Sequence, residues 1–404
     1  KVMYMNKDSI ILLTKDAFCT EYLPCYGNSY WKGKTPNLDE LVSKGTIYTH
    51  FYTAAPSSAM SYLSMFTGLY PYQQDIRTYA PLVKSYEGET LFDKARKNGF
   101  ECHVIWDEKW MSSSYEYTLC YGKETVFHPL QGLRQGVGFH YKHEGYLVPD
   151  KMKEEATIKL IESSIKEIVA SGKVFVWFHL PHVINGRVAY GSDIDLFDEV
   201  LGIIRKYFSD DNIYISGDHG NMNGHKGKLG YGFDVYEPAI KIPLITPRKE
   251  NLSCCKKLVS NIDWDKIIFS DTIPVRDIII SDSAYYSQPK RKTAILYDRF
   301  RYIYNKKDGT EELYDVEWDP NQNFNLITDS IPDLDRGVTN ISRELYFYPY
   351  WNQLPGIREK LRLEKNSIWR DEPQHIKILY KIKKPIQKLP FYSKLCKLYL
   401  KLFK

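Results

Sequence analysis

The stretch DKMKEEATIKLIESSIKEIVASGKVFVWFHL, Asp150 to Leu180, decides the fold class. A long amphipathic segment runs into Gly172, and the apolar strand Val174–Leu180 follows, with His179 as its one polar residue. A helix with one apolar stripe covers a core from one side, whereas a strand apolar at every position is covered on both faces. The same pattern recurs on either side. Upstream, ETLFDKARKNGFECHVIW reads as a helix ended by Gly99 and then a strand, and Thr35-Pro36 opens a helix with Leu38, Leu41 and Val42 facing inward and Gly45 as its stop. Ile10–Thr14 reads as a buried strand and TIYTHFYTA, residues 46–54, as an alternating one. Downstream, DIDLFDEVLGIIRKYF is a helix, and NIYISGDHG a strand with a polar loop at its carboxyl end. Helices alternating with apolar strands predict an α/β fold: a mostly parallel central sheet with helices on both faces.

After about Ser281 the pattern changes. KTAILYDRFRYIYNKKDGTEELYDVEWDP reads as antiparallel strands with a Lys-Lys-Asp-Gly turn, which predicts a small C-terminal α+β subdomain. The expected organisation is a catalytic domain over 1–280, the subdomain over 281–330, an irregular connecting segment over 331–372 and a basic tail over 373–404. The tail holds nine Lys and no acid, so the rest of the chain sums to −4 within a net charge of +5. In FYSKLCKLYLKLFK, Lys394, Lys397, Lys401 and Lys404 share one helical arc, and Phe391, Leu395, Leu398, Tyr399, Leu402 and Phe403 cover the other side. This composition suits an anionic membrane surface against residues 391–404, with docking on the catalytic domain as the other reading.

At 404 residues, 43% hydrophobic and 26% charged, the chain has the composition of a globular protein with a sizeable core. No run approaches the ~20 apolar residues that span a bilayer, and KVMYMNKDSIILLTKDAF lacks the apolar core of a signal peptide. Seven cysteines without a CxxC pair suggest reduced thiols. The expected localisation is cytoplasmic, peripheral at the inner face of the membrane. With an acidic body and no recognition module, nucleic acid is not an expected partner.

Ligands of parallel α/β sheets sit beyond the carboxyl ends of the strands. Three such ends carry polar residues: Asp16, the pair His179 and His182, and Asp218-His219. Asp16, Asp218 and His219 offer two hard oxygens and an imidazole, a fitting set for a divalent cation. TAAPSSAMSYLSMFTG, Thr53 to Gly68, gathers Ser57, Ser58, Ser61 and Ser64 where a strand gives way to a helix. These serines either pack and cap, or one of them is a nucleophile activated by that cation. Taken singly, an Asp after a strand caps a helix and a lone His satisfies a core.

The ordered set SIILLTKDAF, YLPCYGN, TPNLDELVSKGTIYTHFYT, APSSAMSYLSMFTGLYP, SGDHGNMNG, YEPAIKIPLI, RFRYIYN and EELYDVEWDPNQNFNL resembles the sulfatase branch of the alkaline phosphatase superfamily over roughly residues 8 to 330. The resemblance puts Ser58 at the nucleophile position. Sulfatases carry Cys-x-Pro-Ser-Arg there, the Cys becoming formylglycine, whereas this chain has Ser58, Ala59, Met60, Ser61 and Tyr62. Ala17 replaces the second Asp of the usual opening pair. These departures imply the branch with an unmodified Ser or Thr nucleophile, which contains phosphodiesterases, phosphonate hydrolases and transferases of phosphoethanolamine or glycerol phosphate. The implied function is a metal-dependent phosphotransferase or phosphodiesterase working through a Ser58 phospho-intermediate on a cell-surface glycan or its lipid-linked precursor. The alternatives are hydrolysis of carbohydrate sulfate esters, or a degenerate member that binds glycan or membrane. The implied metal ligands are Asp16, Ser58, Asp218 and His219, around Zn, Mn, Mg or Ca. His179, His182 and His225 are implied as supporting catalytic residues, and Arg77, Lys109, Lys226 and Lys228 as substrate contacts. Asp198 matches a family position on a helix and is read as structural.

Overall fold

The computed structural model describes residues 8–30, 32–73, 86, 88–107, 122, 124–130, 140–143, 146–149, 151–181, 190–247, 253–283, 291–327 and 348–368. Its strands are β1 Ile10–Lys15, β2 Thr46–Tyr48, β3 Phe51–Tyr52, β4 Glu101–Asp107, β5 Val126–Leu130, β6 His140–His143, β7 Tyr146–Pro149 and β8 Val174–Leu180, then β9 Ile213–Gly217, β10 Leu244–Thr246, β11 Cys254–Cys255, β12 Val259–Ser260, β13 Ile278–Asp282, β14 Lys292–Tyr297, β15 Phe300–Asn305 and β16 Thr310–Asp315. The main sheet has the order β11-β2-β10-β9-β1-β8-β4-β5. All of it runs one way except β10, which is antiparallel to both neighbours.

Side-chain alternation sorts this sheet into two apolar layers. Ile11, Leu13, Val176, Phe178 and Ile215 pack under the helices Pro36–Lys44, Lys151–Ala170 and Tyr190–Tyr207. Leu12, Phe175, Trp177 and Tyr214 pack under Ser58–Thr67, Leu91–Lys97 and Trp264–Phe269. The expected mostly parallel sheet between two helical layers is thus the observed one.

The start of the Pro36–Lys44 helix shows what Asp198 does. Thr35 makes no side-chain cap. Instead the Asp198 carboxylate, on the Tyr190–Tyr207 helix, accepts the amides of Leu38 at 2.8 Å and Asn37 at 3.3 Å. A carboxylate at a helix N-terminus satisfies orphan amides and opposes the dipole. Asp198 therefore joins two helices.

TIYTHFYTA is not one strand. It breaks at Thr49-His50, so that β2 joins the main sheet while β3 pairs with β12. The last four strands form a separate antiparallel sheet in the order β13-β14-β15-β16, with Gly309 closing the Lys-Lys-Asp-Gly turn at φ 71°. The stretch expected to be irregular, 331–372, contains the helix Leu354–Ile368. Pro355 and Gly356 mask its start in the sequence, yet Pro is well tolerated in a first helical turn. Leu354, Leu361 and Ile368 pack on the small sheet with Ile295 and Tyr302, and Arg358 and Arg362 reach Glu311 at 2.9 and 2.8 Å. Among the described residues no helix is long and apolar enough to cross a membrane.

Candidate functional site

β1 and β9 are neighbours and parallel, with Lys15 opposite Gly217. The next residues, Asp16 and Asp218, therefore leave the sheet side by side although 202 positions separate them. Asp16, Asp218 and His219 are all buried, and each offers a ligand atom within 4.8 Å of the others. His219 Nε2 lies 3.6 Å from Asp16 Oδ1 and 3.5 Å from Asp218 Oδ2. Its Nδ1 is 2.8 Å from the Gly220 carbonyl, which only accepts, so Nδ1 carries the proton and Nε2 presents its lone pair to the carboxylates.

Asp218 is held in the same manner. Its Oδ1 accepts the amides of His219 at 2.8 Å and Ala17 at 3.1 Å. Its Oδ2 is buried and accepts no hydrogen bond among the described residues. An ionised oxygen left in that state is costly unless a cation meets it. Ala17 replaces an acid in the sequence pattern; here its backbone, at φ 52°, turns its amide onto Asp218. Gly220 is required by contact: a Cβ there would stand 2.0 Å from the Pro238 carbonyl oxygen, so only glycine lets the loop pass.

Ser58 completes the group. It is the first residue of the buried helix Ser58–Thr67, and its Oγ lies 3.0 Å from His219 Nε2. A hydroxyl at a helix N-terminus sits in a positive field that favours its anionic form. The other serines divide the remaining work. Ser61 Oγ donates to the Asp218 carbonyl at 2.5 Å and accepts from Asn261 Nδ2 at 2.9 Å. Asn261 also donates to Thr53 Oγ1 at 3.0 Å and accepts the Ala54 amide at 2.8 Å. Ser57 precedes the helix with extended backbone and no side-chain cap. The helix that begins at Ser58, the Asp218 loop and the turn at Asn261 are thus bolted together. Sequence reading missed Asn261, which had no motif to mark it. It also missed Lys15, a buried lysine at the end of β1 with its Nζ 3.3 Å from the Asp16 carbonyl oxygen. The ring of Tyr231 lies over the His219 imidazole, 4.3 Å between centroids.

The structure brings Asp16, Ser58, Asp218 and His219 together. His179 lies beneath them in the aromatic core, Nδ1 2.9 Å from Thr14 Oγ1 and Nε2 2.7 Å from the Tyr62 hydroxyl. Burial holds its pKa down to about 3, so the imidazole is neutral with both nitrogens engaged. His225 bonds to Glu21 at 2.9 Å, Lys228 to Asp234 at 2.6 Å, and Lys226 to the Gln322 carbonyl. Arg77, Lys109, His182 and the 391–404 tail lie outside the described residues.

The two carboxylates, the imidazole lone pair and the hydroxyl match the donor chemistry of a divalent cation, and the orphaned Asp218 Oδ2 is the place that calls for one.

Comparison with solved structures returns the same architecture. A 2-O GAG sulfatase superposes with a TM-score of 0.64 at 14% identity, covering 90% of this chain and 92% of its own. A phosphonate monoester hydrolase of Agrobacterium radiobacter superposes at 0.57 and 13% identity, covering 90% and 96%. Identities this low speak for the fold alone. Among curated relatives, an N-acetylgalactosamine-6-O-sulfatase of Bacteroides thetaiotaomicron is 30% identical over 104 residues, 25% of this chain, and the match spans only 20% of that relative's length. The sulfatase family model matches residues 8–212, from the strand that delivers Asp16 to the threshold of the one that delivers Asp218. By that match, and by the site the fold assembles, the chain belongs to the sulfatase family of the alkaline phosphatase superfamily.

Proposed function

We propose that this enzyme transfers or hydrolyses phosphoryl esters with Ser58 as an unmodified nucleophile. The observation that carries the reading is the Ser58 hydroxyl, 3.0 Å from His219 Nε2 at the head of a helix, in a segment without the Cys, Pro and Arg of a formylglycine site. Asp16, Asp218, His219 and Ser58 would hold one divalent cation. Four donors, one of them an imidazole, suit Zn better than Ca, which takes six to eight oxygens. When bound, such an ion lowers the proton affinity of a hydroxyl and offsets charge that builds on phosphoryl oxygens.

Ser58 Oγ gives its proton to solvent water and attacks phosphorus in line, forming the O–P bond as the bond to the leaving oxygen breaks and that oxygen takes up a proton. The helix N-terminus faces the developing negative charge. His182 and Lys228 are the residues proposed to give the leaving oxygen its proton or to hold a substrate oxygen. Water, or a sugar hydroxyl, then attacks phospho-Ser58 and restores the serine. The substrate proposed is a surface glycan or its lipid-linked precursor, with the basic 391–404 tail against an anionic membrane. A second reading, hydrolysis of glycan sulfate esters, is favoured by the relatives named as sulfatases.

The test is a screen of nitrophenyl phosphate monoesters, diesters and sulfates with Zn, Mn, Mg and Ca, alongside Ser58→Ala, with mass spectrometry of the Ser58 peptide. Phosphoester turnover lost in Ser58→Ala, with a phosphate on Ser58, is the expected result. A formylglycine at position 58, or activity confined to sulfates, overturns it.

A further inference from the structure

At the β5 edge of the main sheet two imidazoles meet. His103 on β4 and His128 on β5 stand with Nδ1 3.1 Å from Nε2 and their rings tilted by 34°. His103 is 3% exposed, and its Nε2 makes no hydrogen bond among the described residues, although Glu101 Oε1 lies 3.6 Å from it. His128 is half-buried and keeps one side open to solvent. Burial leaves both rings neutral at pH 7, and the charged side chains that act on both are acids, Glu101 and Glu167. Glu167 stands in the last turn of the helix Lys151–Ala170, a turn without a basic residue, and a helix carboxyl end adds to the negative potential.

Two neutral imidazoles in a negative field favour a cation, and their spacing fits one. Two nitrogens on one tetrahedral Zn, each about 2.0–2.1 Å from it, stand about 3.3 Å apart. In the metal-free pair a single proton lies between Nδ1 and Nε2; an ion takes its place once His128 carries its proton on Nδ1 instead. His103 Nε2 then holds a proton toward Glu101, the carboxylate support common behind a metal-bound histidine. We infer that His103 and His128 form a second metal site, for a nitrogen-preferring divalent ion such as Zn, with Glu101 orienting His103 and water in the outer positions. This site is separate from the first. Glu101 opens β4 at its amino end, whereas Asp16 follows the carboxyl end of β1, and β8 runs between those two strands. An ion there ties the outermost strand β5 to β4, and it serves the sheet whatever chemistry Ser58 performs.

The experiment is equilibrium dialysis of the full chain against Zn, in an Asp218→Asn background that weakens the first site. That chain still takes up one Zn. Adding His128→Gln weakens its binding by at least about tenfold, and adding Glu101→Gln by about tenfold, the scale on which a supporting carboxylate acts. Urea midpoints in chelator show that each variant is folded. An Asp218→Asn chain that binds no Zn, or one whose affinity is unchanged by His128→Gln, overturns the site. A second readout needs no histidine variant: Zn moves the ring-nitrogen resonances of His103 and His128 in the Asp218→Asn chain, and unmoved resonances overturn the site as well.

Discussion

Replacing Asp218 by Asn should change stability in opposite directions with and without metal. Asp16 and Asp218 offer ligand atoms within 4.8 Å of each other in a buried pocket. At that spacing and an effective dielectric constant of about 20, two negative charges repel by roughly 3.5 kcal/mol. The buried Lys15, its Nζ 3.3 Å from the Asp16 carbonyl oxygen, offsets part of it, whereas the Nε2 lone pair of His219 faces the carboxylates and does not. Asn keeps an oxygen to accept the Ala17 and His219 amides that now bond to Oδ1, so little framework is lost. In chelator the variant should be the more stable protein by about 1–3 kcal/mol. With Zn or Mn at a hundred times the dissociation constant, the parent gains about 2.7 kcal/mol and the variant, one anionic donor short, gains far less. Urea titrations followed by tryptophan fluorescence, in chelator and in metal, give both numbers. A variant less stable than the parent in chelator, or one that metal stabilises equally, refutes the reasoning.

Asn261→Ala strands the Ala54 amide and removes two donors from Thr53 and Ser61, so a loss of roughly 2–4 kcal/mol is expected by urea titration, with weaker metal binding because Ser61 steadies the Asp218 carbonyl. Gly220→Ala would drive a methyl to 2.0 Å from a backbone oxygen; it should cost more than about 3 kcal/mol and abolish metal binding, read by equilibrium dialysis. Acid should weaken the edge of the main sheet. His103 Nδ1 and His128 Nε2 meet at 3.1 Å, and burial holds both pKa values below the ordinary 6.5. The unfolded chain therefore takes up protons that the folded one refuses: the contribution is complete above pH 6.5 and is lost as pH falls below it toward the lowered folded values. His128→Gln should flatten the fall in urea midpoint between about pH 7 and 5.

The architecture was readable wherever one strand or helix carried its own periodicity. Val174–Leu180 announced a doubly covered strand, and the polar residues beyond the strand ends announced Asp16, Asp218 and His219. Ser58 was readable only through the family motif, because nothing local separates it from Ser57 or Ser61. What escaped depends on distant pairing. Thr46–Tyr52 looks like one alternating strand, and only its partners β10 and β12 split it. Asn261 acts on residues 200 and 208 positions away, a distance at which sequence pattern carries no signal. Lys15 reads as a surface charge until its strand is set between β8 and β9.

The bolt that runs from Asn261 through Ser61 to Asp218 also dates the assembly of the candidate site. Its parts come from positions 16, 58, 218, 219 and 261, while the apolar layers that shape the sheet make no use of an ion. A growing polypeptide cannot bring these positions together until Asn261 has followed Asp16 out of the ribosome, 245 positions later. On the proposed reading, scarcity of the ion would leave molecules folded but idle.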